Sequence, residues 1–263
     1  MIHPTAIIDP QAEIDTDAEI GPYVVIEGPV RIARSCRVMA HVWLAGDTHI
    51  GEGCVLHPSC ALGGAPQDIS YDPNKIRSAL VIGSGCEFRE CVTIHRGAKD
   101  NGVTRIGSGV YLMAASHVGH DAHVHDGVIM ANSACLGGYA VVGHKAFVSG
   151  NVSVHQHAHI GAYAMVGAST FVSQDIPPWC IVQGVPGRVA GLNTVGLRRN
   201  GFSAERMRNI KMLFRALYQS DIPFAAVKER IAAMDNDDAR MLLEFLHSSQ
   251  RGIAARVSRH VSE

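Results

Sequence analysis

Ile106-Gly107-Ser108-Gly109-Val110-Tyr111-Leu112 opens a stretch that runs to Ile176 and repeats every six residues. Ile106, Leu112, Val118, Val124, Met130 and Leu136 begin a series of aliphatic residues that continues through Val142, Val148, Val154, Ile160, Val166 and Val172 without a skipped step. Four residues after each stands a mostly small or β-branched residue, such as Val110, Ser116, Ala122, Val128, Ala134 and Ala140. A helix would repeat its apolar residues at three and four, and a half-buried strand at two. A period of six held this long predicts a parallel β-helix, in which each hexad is one short strand plus a corner and three hexads close a triangular coil. The aliphatic residue should point into the prism, and the small residue should let the corner turn tightly. Residues 18 apart then stack on successive coils at about 4.8 Å, the ordinary inter-strand spacing.

The same period reaches back to the start, through Ile2, Ile8, Ile14, Ile20, Ile26 and Ile32 and on to Leu62. Since no capping segment precedes Ile2, the first coil should be closed by its own side chains or by a neighbour. Between Leu62 and Ile82 the register fails over a segment rich in turn formers, so an external loop is expected at about 63–80. A second loop is expected at about 97–105, where Asp100 falls on a position due an aliphatic residue. Loops thrown off a rigid scaffold are good places for substrate contacts. Beyond Ile176, Pro177 and Pro178 should end regular pairing, and Gln183 to Arg188 reads as a turn-rich bridge. From Ser203 the period becomes helical, with Ser203 as cap and Met207, Ile210, Leu213, Phe214 and Leu217 on one face. A second helix should run from Pro223 through Met234 and a third from about Asp238 to Ser248, with fraying beyond Gly252. The expectation is thus a mainly β chain, 1–190 a β-helix and 191–263 a helical domain that covers the open end of the solenoid.

Composition narrows the function. Of 263 residues, 47% are hydrophobic and only 6% aromatic, which suits narrow coils filled by Val, Ile and Ala, and the 27 glycines suit many corners. A formal net charge of -1 gives no bulk affinity for nucleic acid. The acidic first twenty residues do not resemble a secretory signal. No apolar run approaches the roughly 18 residues of a membrane span. Four of the seven cysteines, Cys36, Cys54, Cys60 and Cys86, occupy the small-residue position, where they read as core filler in a reducing cytosol. Cys36 and Cys54 should stack, close enough for an adventitious disulfide.

The fifteen histidines include the cluster His117, His120, His123 and His125, which raises a zinc site. Residues six apart lie on different faces of the prism, so His117 and His123 should diverge. His41, His49, His57, His247 and His260 read as solvated or interface side chains. His120 followed by Asp121 is different. A histidine can act as general base on a hydroxyl near neutral pH, and acyl transfer then needs an amide donor where the oxyanion develops. Gly138, 18 residues on, offers that amide without a side chain in the way.

With these residues in view, the sequence resembles the UDP-N-acetylglucosamine acyltransferase family. The resemblance rests on Gly63-Gly64-x-x-Gln67-Asp68, Val92-Thr93-Ile94-His95-Arg96-Gly97, His117-x-x-His120-Asp121, Val154-His155-Gln156 and the phrase from Gly196 to Ser203, and covers essentially the whole chain. It implies a left-handed parallel β-helix, a cytoplasmic homotrimer with sites between subunits, and the first step of lipid A biosynthesis. In that step a 3-hydroxyacyl group passes from acyl carrier protein to the glucosamine 3-position, with no cofactor. The resemblance makes His120 the general base, Asp121 its neighbour in the catalytic phrase and Gly138 the oxyanion amide. Asp68, His117, Tyr139, His155 and Gln156 would line the sugar site, Asn193 and Arg199 would contact the nucleotide, and Ala168 would lie beside the acyl chain. An arginine fork on a diphosphate is physically reasonable.

Four positions depart from the family pattern. Ser70 stands for a lysine, Tyr139 for a histidine, Val195 for a glutamate and Asn200 for an arginine. They leave open a different UDP-sugar, such as a 3-amino analogue. A zinc-dependent lyase like the γ-carbonic anhydrases, or an inactive scaffold, would use the same solenoid.

Overall fold

The structure is a computed structural model that describes residues 1–218 and 222–257. His260, read above as a solvated or interface side chain, lies outside the described residues. Short strands follow one another around a triangular prism and pair with the equivalent strand of the next coil, forming three sheets of nine, eight and ten strands. All pairings are parallel except the last. The fold is a left-handed parallel β-helix with a C-terminal helical region.

Stacking by 18 holds through the regular coils, with His117 opposite Cys135 and Cys135 opposite Ser153. Both excursions break it. Ala61 pairs with Thr93, 32 positions on, and Thr93 with His117, 24 on. The loops are tighter than the sequence suggests. The first lies between strands Ala61–Gly64 and Ala79–Ile82, the second between Thr93–His95 and Val103–Ile106. Both leave the corner joining the nine-stranded sheet to the eight-stranded one.

The aliphatic residues fill the prism, with Leu112, Val118, Val124, Met130 and Leu136 fully buried. Each such side chain contributes about 1.5–3 kcal/mol. The small residues Val128, Ala134 and Ala140 are fully buried too, so they fill the interior rather than merely easing the turn. The turn itself is made one residue earlier, as in Ser133-Ala134-Cys135, by a residue in the left-handed region. Asp121, Ser133, Tyr139 and Asn151 have φ of 56–60°. That conformation costs an L-residue about 1–2 kcal/mol, offset by the burial on either side. Cys36, Cys54, Cys60 and Cys86 are buried free thiols. Burial pushes the Cys60 thiol up to about 12, which makes it inert.

The end of the solenoid differs from expectation. Pairing continues past Pro177 and Pro178, because strand Cys180–Gln183 adds to the prism and folds back on Arg188–Leu192. Helix α1, Thr194–Arg199, was not expected, and α2, Ala204–Tyr218, α3, Phe224–Ala232, and α4, Asp237–Ser248, follow. Ser203 Oγ accepts from the Arg206 amide at the start of α2, as its capping role requires. The Asp238 carboxylate on α4 is buried and takes three hydrogen bonds from Arg206 at 2.7–3.1 Å, tying α2 to α4. Beyond Gly252 the described residues, as far as Val257, are paired rather than frayed, with Ile253 bridging Asp175 and Arg256 bridging Val189. Buried Asp175 accepts from the His159, Gln250 and Arg251 amides and the Ser249 hydroxyl, locking the tail across the open edge.

Candidate active site

His120 stands at the corner that both loops leave, one coil beyond the second loop. Its Nδ1 is 2.9 Å from Asp121 Oδ2. The same carboxylate oxygen accepts from the Ala98 amide at 2.8 Å, and the Asp121 amide donates to Thr104 Oγ1 at 2.8 Å. The second loop therefore holds the carboxylate that holds the imidazole. A carboxylate can only accept from a neutral imidazole, so Nδ1 carries the proton and Nε2 is the basic nitrogen.

That Nε2 faces Gly138. A Cβ at Gly138 would lie 2.5 Å from it, so any larger residue would displace the ring. The Gly138 amide donates no hydrogen bond among the described residues. Gly119 and Gly137, just before these corners, are required by the next coil, since a Cβ at Gly119 would stand 2.8 Å from the Gly138 nitrogen. Base and free amide are thus brought together by stacking, as the 18-residue spacing predicts.

A cleft of about 420 Å³ lies beside them on the nine-stranded sheet, with His95, His117, His120, Gly138, His155 and Gln156 in its walls. His117 Nδ1 is 2.8 Å from Thr93 Oγ1, and burial followed by the nearby His120 lowers its proton affinity. His155 Nδ1 donates to the Gln156 carbonyl at 2.9 Å. Asp68 sits on the first loop. Its carboxyl is held below the usual range by the Ser70 hydroxyl, at 2.7 Å, then by the Ser70 amide, with a smaller contribution from His120. Ser70, which stands for a cation, therefore anchors the acid instead.

Other expected residues lie elsewhere. Tyr139 turns to the far side of the corner because its left-handed backbone carries the chain away from the cleft. There its ring meets the edge of His120, stacks on His157 at 4.6 Å and lies under Lys99. Asn193 is buried as the cap of α1, accepting from the Gly196 amide and donating to the Tyr163 carbonyl. Arg199 is exposed in the last turn of that helix. Neither reaches the cleft within one chain. Ala168 is exposed on the turn before strand Phe171–Val172, at the opposite edge of the nine-stranded sheet. An acyl chain from Gly138 to Ala168 would cross that sheet's face near Ser153, not follow a single corner.

His117 and His123 do fall on different sheets. His123 instead stacks on His125 at 4.0 Å. Among the described residues no group of three or more His, Cys, Asp or Glu converges on a metal position. His57, read as a solvated or interface side chain, is largely covered within the chain and lies 3.0 Å from Glu87. His95 and Gln67 were missed as wall residues, although both stand inside the motifs quoted above. The 18-residue rule fails across the loops, and only the 24-residue pairing sets His95 beside Gly119.

A family model for domain 2 of the UDP N-acetylglucosamine O-acyltransferases matches residues 175–254. The acyl-[acyl-carrier-protein]–UDP-N-acetylglucosamine O-acyltransferase of Thermodesulfovibrio yellowstonii is 42% identical over 260 residues, covering 96% of this chain and 98% of its own. The enzyme of that name from Syntrophobacter fumaroxidans is also 42% identical, over 256 residues and the same shares. The crystal structure of the Francisella novicida UDP-N-acetylglucosamine acyltransferase is similar at a TM-score of 0.94 and 31% identity, covering 100% of this chain and 99% of that one. With such identity over nearly the whole of both sequences, this chain belongs to the acyl-[acyl-carrier-protein]–UDP-N-acetylglucosamine O-acyltransferase family and is an acyltransferase.

Proposed function

We propose that the protein transfers a 3-hydroxyacyl group from acyl carrier protein to the glucosamine 3-hydroxyl of UDP-N-acetylglucosamine, as a homotrimer in the first step of lipid A biosynthesis. The observation that carries the mechanism is the facing of His120 Nε2 and Gly138, with Nδ1 held by Asp121. Nε2 takes the hydroxyl proton as the oxygen attacks the thioester carbonyl. The Gly138 amide receives the oxyanion. Collapse of the tetrahedral intermediate breaks the carbon–sulfur bond, and the imidazolium returns its proton to the departing thiolate. The names of the relatives support the donor and the acceptor. Mass spectrometry of the product formed from UDP-N-acetylglucosamine and 3-hydroxyacyl carrier protein tests the proposal, and absence of an O-acylated nucleotide sugar refutes it.

A second reading, acylation of a 3-amino analogue, is favoured by Ser70 and Tyr139. The first is neutral and engaged with Asp68, and the second lies outside the cleft. Restoring Ser70→Lys and Tyr139→His together should then raise activity on the ordinary sugar a few-fold relative to the amine. An unchanged ratio discards the second reading.

A further inference from the structure

A second cavity, of about 570 Å³, lies across the external loops from the cleft. The coils before the loops contribute Arg31 and Gly46, the first loop Tyr71 and Arg77, and the second Asn101 and Gly102. Its volume is that of a small-molecule site. Three guanidinium groups line it, those of Arg31, Arg77 and Arg96. Arg96 donates to neutral oxygens, the Gly63 carbonyl at 2.7 Å and the Tyr71 hydroxyl at 2.9 Å, so its charge is not cancelled. Arg77 makes no side-chain hydrogen bond or ion pair among the described residues. Arg31 lies 3.5 Å from Glu13, an exposed pair that water screens. The carboxylate in the lining is Asp47, which is 2.7 Å from His49 Nε2. Three guanidinium groups against one carboxylate leave the lining a formal charge of +2.

Charge and shape together specify a ligand. A carboxylate carries one negative charge, whereas a phosphate monoester carries about 1.5 to 2 near neutral pH and offers three oxygens to planar guanidinium forks. Pro29, Pro73, Ile76 and Val103 add an apolar wall that inorganic phosphate would leave bare. Position gives occupancy a consequence. The two loops are bonded to each other, the Asn101 amide to the Arg77 carbonyl at 2.7 Å and the Ala79 amide to the Gly102 carbonyl at 3.0 Å. Gly102 is the partition between cavity and catalytic pair, since a Cβ on it would stand 2.6 Å from Asp121 Oδ1. The same loop holds Asp121 Oδ2 through the Ala98 amide. We propose that this cavity binds the phosphate monoester of a small organic molecule between Arg31 of the scaffold and Arg77 of the first loop, and so fastens the loops that hold Asp121.

Calorimetry with glucose 6-phosphate, which has both the dianion and an organic body, should show saturable binding, with inorganic phosphate weaker and glucose inert. Arg31→Gln and Arg77→Gln should each weaken the binding of glucose 6-phosphate about 10-fold, the scale of one lost charge-assisted hydrogen bond. Both side chains are exposed, so these variants should keep the wild-type thermal midpoint. Arg199→Gln, at the far end of the solenoid, should bind as wild type does. Hydrogen exchange of the wild-type protein saturated with glucose 6-phosphate should slow at the Ala98, Asn101 and Gly102 amides. Absent binding of glucose 6-phosphate, equal binding of inorganic phosphate or of glucose, undiminished binding in either Arg31→Gln or Arg77→Gln, a loss in Arg199→Gln instead, or unchanged exchange at those amides would each overturn the inference. None of these readouts needs turnover, so their failure is distinct from failure of the acyl transfer proposed above.

Discussion

Two corners of one prism are built alike and do different things. At one, Gly138 follows strand Cys135–Leu136; at the other, Gly150 follows strand Phe147–Val148. Each is followed by a left-handed residue, Tyr139 or Asn151, and each glycine amide is unused among the described residues. A free amide donor is therefore a property of the corner, not of a site. The neighbours make the difference. Below Gly138 lies His120, fixed by Asp121, while below Gly150 lies Asn132, whose carbonyl oxygen would stand 3.3 Å from an added Cβ. Both external loops leave the first corner, and the second pins the carboxylate through the Ala98 amide. A solenoid offers the same backbone many times, and chemistry arises where loops and a titratable side chain fall on one copy.

Removing the base should have the largest effect. His120→Ala should lower kcat by about 100-fold or more, the usual scale for a general base, while the thermal midpoint stays near that of wild type. Turnover close to wild type would erase the distinction between the corners.

Glycine-to-alanine changes test the distinction directly. Gly138→Ala drives a methyl into the His120 ring, and a misplaced base should cost about 10-fold or more in kcat/KM. Gly150→Ala meets only the Asn132 carbonyl oxygen and should change stability by no more than about 0.5 kcal/mol, with activity unaltered. Equal losses in the two variants would show that the corners are not functionally different.

Ala168, on the same edge of the nine-stranded sheet as Gly150, sharpens the comparison. Competition among acyl donors of graded length should show Ala168→Met losing the longer donors a few-fold and Ala168→Gly gaining them. An identical profile in both variants would leave the second corner without a part in the reaction.

The smallest effect concerns acid. Burial first depresses the proton affinity of His95, to about 4, and lowers those of His117 and His159. The unfolded chain binds these protons near pH 6.5, and the folded chain only at lower pH. The stabilisation is therefore complete above about pH 6.5 and is lost as pH falls toward 4. Urea midpoints should drop between pH 7.5 and pH 5, and less steeply in His95→Gln. Parallel slopes would mean that His95 is not the protected group.

Much of this was legible because a β-helix is nearly one-dimensional. Each coil touches only the next, so the hexad period determines the interior, and adding 18 to His120 finds Gly138 without coordinates. The resemblance carried His117, His155 and Gln156 to the same cleft. What escaped the sequence lay where that arithmetic is interrupted. His95 could not be placed beside Gly119 until the second loop was known to add six residues to the coil. The capping strands Cys180–Gln183 and Arg188–Leu192, and the pairing of Ile253 with Asp175, have no repeat to announce them.

By itself, then, the sequence determined the prism, its filling, its three helix-sized tail segments and the pairing of a histidine with a glycine amide, because all of these follow from periods and from neighbours in a stack. Only the tertiary structure decided which corner the loops cover, that Tyr139 turns away from the cleft, that Asn193 is consumed as a helix cap, and that Ala168 lies across a sheet from Gly138. These depend on loop paths, left-handed turns and the choice among competing hydrogen-bond partners, which are settled by contacts between distant parts of the chain and leave no period in it.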